Sequence, residues 1–371
     1  MTLRLACVRD FRAEGWPSMD LCADQLLAHL PLGVIAEDVS PMFRRRFGRI
    51  PFSRGVGYNA DRLLNRHVFL PRIVRSVASR ADFVHIVDHS YAHLARSVPP
   101  ERCGVYCHDL DAFRSILDPV AEPRPLWFRR LAERTLEGLK RAAVVFHSTA
   151  EIRERILRHR LVAPERLIHA PYGVAAEFTP AAECSAQADS TYLLHVGSNI
   201  PRKRLDVLLD VFATLWKQRP ALKLIQVGGP WPAEQREQIE RLGIGPAVSQ
   251  QRDLSRRQLA ELYRRAAAVL VTSEAEGFGL PVIEALACGA PVVASDIPVL
   301  REVGGTAAEY CSIADIPSWA AALTRIIDEP TQRMGRVEQA AQYTWSEHAR
   351  IICTAYDRLA KGLLPRCESS S

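Results

Sequence analysis

The sequence has no long hydrophobic run and few aromatic residues. No segment approaches the ~20 consecutive apolar residues that span a bilayer as a helix, and only 7% of the 371 residues are aromatic. The opening stretch MTLRLACVRDFR reaches charged residues too soon for the apolar part of a signal peptide. We therefore expect a cytoplasmic protein that is at most peripheral at the inner face of the membrane.

Close cysteine pairs are also missing. The nine cysteines are odd in number, and no two of them have the C-x-x-C spacing of a zinc or redox site. Cys103 and Cys107 lie four residues apart, without a second Cys/His pair nearby. The pattern is typical of reduced thiols and gives no sign of a metal site, so we expect no bound metal.

Acidic residues are scarce in one region. Residues 41–80 contain ten Arg and one Asp, in a chain whose net charge is +6. The densest part consists of Arg44, Arg45, Arg46, Arg49 and Arg54. Such a surface attracts an anionic membrane or a phosphorylated acceptor, although an ordinary solvated surface has the same composition. Because few aromatic residues are interleaved, no nucleic-acid partner is expected.

Two successive series of strands and helices organise the chain. In the first, apolar segments predict strands at 3–8, 83–87, 103–107 and 143–148, with helices at 18–30, 127–140 and after Thr149. The second predicts strands at 191–197, 222–229, 268–273 and 290–295, with helices at 204–219, 233–242 and from Pro281. Strands alternating with helices of this length indicate parallel sheets joined by right-handed crossovers.

The two series predict an α/β protein with two Rossmann-like domains. We place the first at 1–180 and the second at 190–344, joined by a polar, Ala-rich linker near 179–190. In open sheets of this kind, ligands bind beyond the carboxyl ends of the strands. Two such domains facing across a cleft would therefore enclose a ligand site.

The most informative segment is EAEGFGLPVIEALACGAPVVASD, residues 274–296. A glycine-rich loop followed by Pro281, which suits the first turn of a helix, lets backbone amides face an anion. The residues predicted to offer these amides are Gly277, Phe278, Gly279 and Leu280. Glu276 and Glu284 flank the loop and suit the hydroxyl groups of a sugar and a ribose, because carboxylates accept paired O–H bonds. A plain glycine turn with one surface and one capping Glu is the alternative.

A second phosphate signal is HVGSNIPRKRLDVLL, residues 195–209. A strand, a glycine turn and a basic pair precede a helix, so Arg202 and Lys203 can reach a diphosphate. Solvated loop charges would give the same pattern.

In the first domain, VYCHDLDAF (105–113) ends an apparent strand, and His108 is the candidate polar group there. A satisfied structural histidine is the alternative. Asp109-Leu110-Asp111 matches the short D-x-D metal motif, which we discount because such matches are frequent by chance.

The segment EGFGLPVIE, complete from Glu276 to Glu284, and the ALACGAPVVASD that follows closely resemble the donor motif of glycosyltransferase family 4, retaining enzymes of the GT-B fold. The resemblance implies that Glu276 contacts hydroxyls of the transferred sugar and Glu284 the ribose. It implies that the backbone near Phe278–Leu280 holds the diphosphate. The resemblance is specific over 190–310 and loose over 1–180.

Further positions follow from the same resemblance. The family has a Gly after a strand and, six residues later, a Lys that binds the diphosphate, which Gly197 and Lys203 match. Many members have an Arg directly after the Gly, where this chain has Ser198, and Arg202 is the candidate substitute. The nucleotide base is placed near Arg252 and Leu254.

The acceptor side resembles the family less closely. His108 and Asp109 match the family's His-Asp beside the transferred sugar and the acceptor, and Gly15 and Trp16 lie where members have a Gly-rich acceptor loop, here without the usual Gly-Gly. The segment TWSEHARIICTAYDRL (344–359) resembles the terminal helix that crosses back to the N-terminal domain, so we assign about 345–371 to that domain.

The resemblance implies a metal-independent retaining hexosyltransferase with no cofactor besides its nucleotide-sugar substrate. It would move a hexosyl group, mannosyl being one option, from a GDP- or UDP-linked sugar to a glycan or lipid-linked acceptor in polysaccharide synthesis. His108, Lys203 and Glu276 are the expected catalytic residues, and Lys203 would stabilise the leaving diphosphate. We also expect Lys203→Ala to leave folding nearly unchanged, because the residue should lie in an open cleft.

Three alternatives stay open at this point. A nucleotide-sugar epimerase or a sugar phosphorylase of the same fold fits the EGFGLPVIE match poorly. A non-catalytic nucleotide-sugar-binding partner subunit fits poorly with the retained Glu276, Glu284 and Lys203, although Ser198 leaves room for it.

Overall fold

The computed structural model describes residues 2–47, 54–181, 192–329 and 334–364, with Arg54 described for its backbone alone. Arg49, most of the predicted linker at 179–190 and the end of the predicted terminal segment lie outside these ranges. The chain forms two compact units, one of Met1–Tyr172 with Trp345–Ser371 and one of Gly173–Thr344. Among the described residues, no helix is long and apolar enough to cross a membrane.

The first unit is built on a parallel sheet of six strands in the order β2-β1-β3-β4-β5-β6. Its strands are β1 Leu3–Val8, β2 Val34–Val39, β3 Phe83–Ile86, β4 Cys103–Cys107, β5 Val144–His147 and β6 Leu167–His169. Its helices before the second unit are α1 Pro17–Ala28, α2 Arg54–Leu64, α3 Leu70–Ala78, α4 Arg114–Leu117, α5 Leu126–Arg141 and α6 Ala150–Arg158. All residues of β3, β4 and β5 are buried, as expected of parallel strands covered on both faces.

The second unit repeats this design, with the strand order β12-β11-β10-β7-β8-β9 and parallel pairing throughout. Its strands are β7 Tyr192–Val196, β8 Lys223–Val227, β9 Val248–Gln251, β10 Ala268–Val271, β11 Val292–Ser295 and β12 Glu309–Cys311. Its helices are α7 Leu205–Trp216, α8 Ala233–Leu242, α9 Arg256–Arg265, α10 Leu280–Ala287, α11 Pro298–Gly304, α12 Ile316–Asp328 and α13 Met334–Ala341.

The last helix, α14 Trp345–Ala360, belongs to the first unit, as the sequence predicted. Its Tyr356 is fully buried, and the tyrosine hydroxyl lies 2.9 Å from Nδ1 of His85 on β3. Gly104 on β4 leaves the room for this contact, since a Cβ there would lie 2.2 Å from the Tyr356 hydroxyl oxygen. The helix therefore completes the core of the first unit.

Candidate functional site

The predicted donor residues gather at one edge of the second sheet. Because all its strands are parallel, their carboxyl ends meet at the same edge. The loop after β7 contains Gly197 to Lys203, the loop after β9 contains Arg252 and Leu254, and the loop after β10 contains Glu276 to Gly279. Three separate stretches of sequence thus reach one face of the unit.

Lys203 and Glu276 form the central pair of this edge. The ammonium nitrogen of Lys203 lies 2.5 Å from Oε1 of Glu276, and the two side chains are only 10% and 7% exposed. Ser273 donates its hydroxyl to the same carboxylate oxygen at 2.7 Å. Nη1 of Arg202 lies 3.5 Å from Oε2. The expectation that Lys203 lies in an open cleft is therefore wrong, because its side chain is buried and paired with the Glu276 carboxylate.

Hydrogen bonds to backbone carbonyl groups hold the segment of Lys203 against the segment of Glu276. The hydroxyl of Thr272, just past β10, donates to the carbonyl oxygen of Lys203 at 2.9 Å, and the amide of Glu274 donates to the carbonyl oxygen of Arg202 at 2.9 Å. Arg202 also donates to the carbonyl oxygen of Ala275 at 2.7 Å. The basic segment before α7 is thus hydrogen-bonded to the loop after β10 that contains Glu276.

A polar network underlies the loop of Gly197 and Ser198. Gln226, fully buried on β8, donates from Nε2 to the carbonyl oxygen of Gly197 at 3.1 Å and to Oδ1 of Asn199 at 3.0 Å. Gln250 donates to Oε1 of Gln226 at 2.8 Å. Ser198 itself is exposed. Because the Gly197 carbonyl is fixed toward the sheet, the peptide amide of Ser198 is directed the opposite way, as trans geometry requires.

The helix that follows Glu276 begins at a left-handed glycine. Gly279 has φ +95°, where a Cβ would be strained and would lie 2.8 Å from Leu300, and it is the N-cap of α10. Phe278 is buried with its ring edge-on to Tyr343 at 5.6 Å, which anchors the loop. Pro281 has no N–H, and the amide of Val282 donates to the carbonyl oxygen of Gly279 at 2.9 Å. The amides that suit an anion at this end of α10 are therefore those of Gly279 and Leu280.

Glu284 lies one turn into α10 and is buried at 9% exposure. The hydroxyl of Tyr263 on α9 donates to its Oε2 at 3.0 Å. Burial raises the pKa of Glu284 to about 7, although the Tyr263 bond and the charge of Arg256 oppose the shift. The ribose role of Glu284 stays a prediction, and its carboxyl is already oriented by Tyr263.

The residues placed near the base lie in the loop between β9 and α9. Arg252 is exposed and Leu254 is half-buried, with Asp253 between them at φ 54° in the left-handed region. The amide of Gly228, after β8, donates to the carbonyl oxygen of Gln251 at 3.1 Å. This loop therefore lies beside the β8 end of the same edge.

The predicted acceptor residues lie at the carboxyl edge of the first sheet. His108, just past β4, is buried, with Nδ1 bonded to the hydroxyl of Tyr172 and Nε2 bonded to the carbonyl oxygen of Val87 at 2.6 Å. Burial lowers the pKa of His108 to about 4. Gly15 and Trp16 are exposed in the connection from β1 to α1, with Gly15 at φ +73°. The catalytic and acceptor roles of these residues stay predictions.

Asp109, a predicted acceptor residue, pairs with His89, which the sequence analysis did not name, and Asp10 lies at the same edge of the first sheet. Nε2 of His89 lies 3.2 Å from Oδ1 of Asp109, and this contact holds the pKa of Asp109 well below its ordinary value. Asp10, after β1, is buried, and its Oδ1 has no hydrogen-bond partner among the described residues. Burial and then the charge of Asp88 raise the pKa of Asp10 to about 7. In the described ranges, no three His, Cys, Asp or Glu side chains form a metal-binding group.

The basic surface is described in part. Arg44, Arg45 and Arg46 are exposed, and the guanidinium groups of Arg44 and Arg46 lie 5.0 and 5.1 Å from the ring centre of Phe69. Arg49 and the side chain of Arg54 lie outside the described residues.

Four residues of the donor edge escaped the sequence reading: His195, Gln226, Tyr263 and Ser273. His195 and Gln226 are the only polar residues of YLLHV and, apart from the leading Lys, of KLIQV, which was the available signal. Tyr263 carried no such signal, because its partner Glu284 is 21 residues away on another helix. Ser273 carried none either, because its contact with Glu276 depends on how the loop after β10 folds.

The chain matches a known family by sequence. The family described as "Glycosyl transferases group 1" matches residues 182–343. The D-inositol 3-phosphate glycosyltransferase of Thermobispora bispora is 31% identical over 319 residues, which cover 78% of this chain and 74% of that relative. The protein of the same name from Segniliparus rotundus is 31% identical over 326 residues, covering 79% and 71%.

Solved structures show the same fold. The sucrose-phosphate synthase of Thermosynechococcus elongatus superposes with a TM-score of 0.69 at 20% identity, over 97% of this chain and all (100%) of that one. HepE of Anabaena, in complex with UDP and glucose, superposes with a TM-score of 0.71 at 18% identity, over 96% of this chain and 100% of that one. Together with the two six-stranded parallel sheets and the sequence relatives, these matches show that the chain belongs to the group 1 glycosyltransferases, family 4 enzymes with the GT-B fold.

Proposed function

We propose that this glycosyltransferase moves a hexosyl group from a GDP- or UDP-linked sugar to a hydroxyl of a glycan or lipid-linked acceptor, with retention at the anomeric carbon. The observation that supports the proposal most directly is the buried Lys203–Glu276 pair beside the loops that contain Gly197 and Gly279 in the second unit. A cation, helix-start amides and a carboxylate at one edge suit a diphosphate joined to a sugar.

The chemistry is a single displacement on one face of the sugar. The bond between the anomeric carbon and the diphosphate oxygen breaks, the bond to the acceptor oxygen forms, and the acceptor proton passes to a phosphate oxygen. Lys203, Arg202 and the amides at the start of α10 stabilise the departing negative charge, which is commonly the largest catalytic contribution.

Glu276 acts in this scheme by orienting the sugar, not as a nucleophile. Its carboxylate already receives Lys203, Ser273 and Arg202, at 2.5, 2.7 and 3.5 Å. A carboxylate engaged in this way is a poor nucleophile, because attack would require it to give up those contacts. It remains able to accept a hydroxyl of the transferred sugar.

The acceptor class is proposed from the family and from the relatives. The curated relatives are named for D-inositol 3-phosphate, so a phosphorylated cyclitol belongs in an acceptor screen beside lipid-linked glycans. The acidic groups Asp10, Asp88 and Asp109 at the carboxyl edge of the first sheet suit hydroxyl groups of an acceptor, which donate to carboxylates.

The test begins with thermal shift against GDP, UDP, ADP and dTDP and their common sugars, with and without EDTA. A ligand that binds only the folded state raises the melting temperature with concentration. We expect one nucleotide to do so in EDTA, and Lys203→Met to weaken the response while Lys223→Met, at the exposed opposite end of β8, leaves it unchanged. No response to any nucleotide in a folded sample contradicts the proposal.

The product then separates the alternatives. Release of the nucleoside diphosphate on adding acceptor, with an NMR coupling that shows the donor's anomeric configuration preserved, supports retaining transfer. A partner subunit would bind the nucleotide-sugar without ever releasing the diphosphate. An epimerase would convert the nucleotide-sugar without an acceptor, and a phosphorylase would need free phosphate.

We further propose that the basic surface of Arg44, Arg45 and Arg46 contacts an anionic membrane. Each exposed Arg near such a surface contributes roughly 1 kcal/mol. Changing all three to Gln should weaken binding of the protein to phosphatidylglycerol vesicles. Binding to neutral phosphatidylcholine vesicles should be weak for the wild type and unchanged in the variant. The matched control changes three exposed cations of the second unit to Gln: Lys217, Arg236 and Arg241. Equal loss in both triple variants contradicts a specific surface.

A further inference from the structure

The donor edge contains a histidine that the proposed mechanism does not use. His195 on β7 is 1% exposed, follows the buried apolar residues Leu193 and Leu194, and is the only histidine between residues 173 and 344. Its Nδ1 is buried and has no hydrogen-bond partner among the described residues. A buried polar atom without a partner destabilises a fold, so this histidine costs stability, and a binding role for its other ring nitrogen, Nε2, would explain why it is there.

The imidazole borders the space over Gly197. Side chains two residues apart on a strand share a face, and a Cβ placed on Gly197 would lie 3.4 Å from Cε1 and 3.8 Å from Nε2 of His195. The same Cβ would lie 3.6 Å from Cε of Lys203. The Cε1–Nε2 edge of the imidazole and the stem of Lys203 therefore flank the place where a side chain at Gly197 would lie.

The protonation of His195 suits a donor role. Burial, and then the charge of Lys203, lowers the pKa of His195 to about 3, so the ring is neutral at pH 7 and has one N–H. With the proton on Nε2, the N–H faces the space over Gly197, whereas on Nδ1 it would be buried without an acceptor. A neutral donor adds a hydrogen bond to an anion without adding a second buried charge beside Lys203.

We infer that His195 binds the donor: its Nε2–H donates to a phosphate oxygen of the nucleoside diphosphate that lies over Gly197, beside Lys203. The inference rests on the proposed function of this edge and assigns the phosphates a contact from the strand itself. The exposed Ser198 then need not supply a charged group, because His195 and Lys203 reach the phosphate from the two sides of Gly197.

The test compares His195→Phe, which keeps a planar ring and removes the N–H, with His195→Gln, whose amide replaces it. UDP, GDP, their nucleosides and inorganic pyrophosphate are titrated into each protein by calorimetry. Loss of a hydrogen bond to a charged group should weaken the diphosphate that binds, and pyrophosphate, by about tenfold or more in His195→Phe. Affinity for the nucleoside should stay unchanged, and His195→Gln should recover most of the loss.

A spectroscopic readout identifies the contact directly. In protein labelled with ¹⁵N-histidine, the signals missing from His195→Phe assign His195, and pyrophosphate should shift its Nε2 resonance. The melting temperature of His195→Phe should equal or exceed that of the wild type, because a phenyl ring leaves no unpaired buried nitrogen.

The outcomes separate the two claims. If the wild type binds no diphosphate, the proposed function and this inference both fail. If the wild type binds a diphosphate and His195→Phe binds it equally well, or loses nucleoside affinity to the same extent, only the inference on His195 is overturned.

Discussion

Lys203→Met removes one charge of a buried pair while keeping the apolar stem of the side chain. Breaking such a pair commonly destabilises by about 3–5 kcal/mol, because the remaining charge is left uncompensated. Here Ser273 and Arg202 also contact Glu276, at 2.7 and 3.5 Å, and these contacts partly compensate the charge that Glu276 keeps, so the loss of stability should be smaller. We therefore expect the free energy of unfolding to fall by about 2 kcal/mol, a decrease of roughly 4–8 °C in melting temperature.

A double variant tests the reason for this loss. In Lys203→Met/Glu276→Gln neither charge remains, so the double variant should be more stable than Lys203→Met alone. Turnover should behave differently and stay low in both, by about 10²–10³-fold, because the leaving diphosphate loses its cation. Urea unfolding followed by circular dichroism measures stability, and release of the nucleoside diphosphate measures turnover.

The reasoning fails on either of two results. A Lys203→Met protein as stable as the wild type would show that the pair does not compensate a buried charge. Wild-type turnover in that variant would remove Lys203 from the mechanism. Lys223→Met, an exposed lysine on the same unit, should change neither quantity.

Two further predictions concern a glycine and a buried acid. Gly228→Ala should lower nucleotide affinity in calorimetry by displacing the Gly197 loop, since its Cβ would lie 2.0 Å from the Gly197 carbonyl oxygen, whereas Gly229→Ala meets nothing closer than 3.8 Å and should bind normally. Asp10 has a pKa raised to about 7 in the folded state, and an Asp in an unfolded chain titrates near ~3.9. Its contribution to stability is therefore complete below that lower pKa and is lost as pH rises toward 7. The stability of Asp10→Asn relative to wild type should grow with pH, by about 1.4 kcal/mol per unit between pH 5 and 6 and by less as pH approaches 7; a constant difference in urea unfolding contradicts it.

The sequence predicted the inner strands of both sheets and missed the outer ones. All eight inner strands were found because each contains a short apolar run, and five of them, β3, β4, β5, β10 and β11, are buried along their whole length. The four missed strands, β2, β6, β9 and β12, are the four edge strands. Two have three residues each, and VIAEDV and VSQQ contain polar residues that an edge tolerates. An apolar run is therefore a signal of a strand with two neighbours.

The donor edge was predictable where backbone chemistry determines it. Gly197, Lys203, Glu276 and Gly279 belong to motifs whose spacing predicts a common anion site, and the structure places all four in loops at the carboxyl edge of the second sheet. Their roles stay predictions, and the contact between Lys203 and Glu276 was not predicted. The bond from Tyr263 to Glu284 was not predictable, because it joins two helices through side chains. At the carboxyl edge of the first sheet, the sequence could not indicate that both ring nitrogens of His108 are engaged by Tyr172 and Val87, which are far away in sequence.

Because α14 belongs to the first unit, the second unit is inserted between two parts of the first, and its two chain ends lie next to each other. The amide of Val174 donates to the carbonyl oxygen of Tyr343 at 3.1 Å, so the unit's first and last residues are neighbours. In the first unit, the rings of Tyr172 and Trp345 are 5.7 Å apart on either side of the same junction. A linker of a few residues between Tyr172 and Trp345 would thus close the first unit without the second. The whole second unit could also be exchanged by cutting the chain after Tyr172 and before Trp345. Recombination at that junction would join a given second unit to a new first unit without interrupting either core.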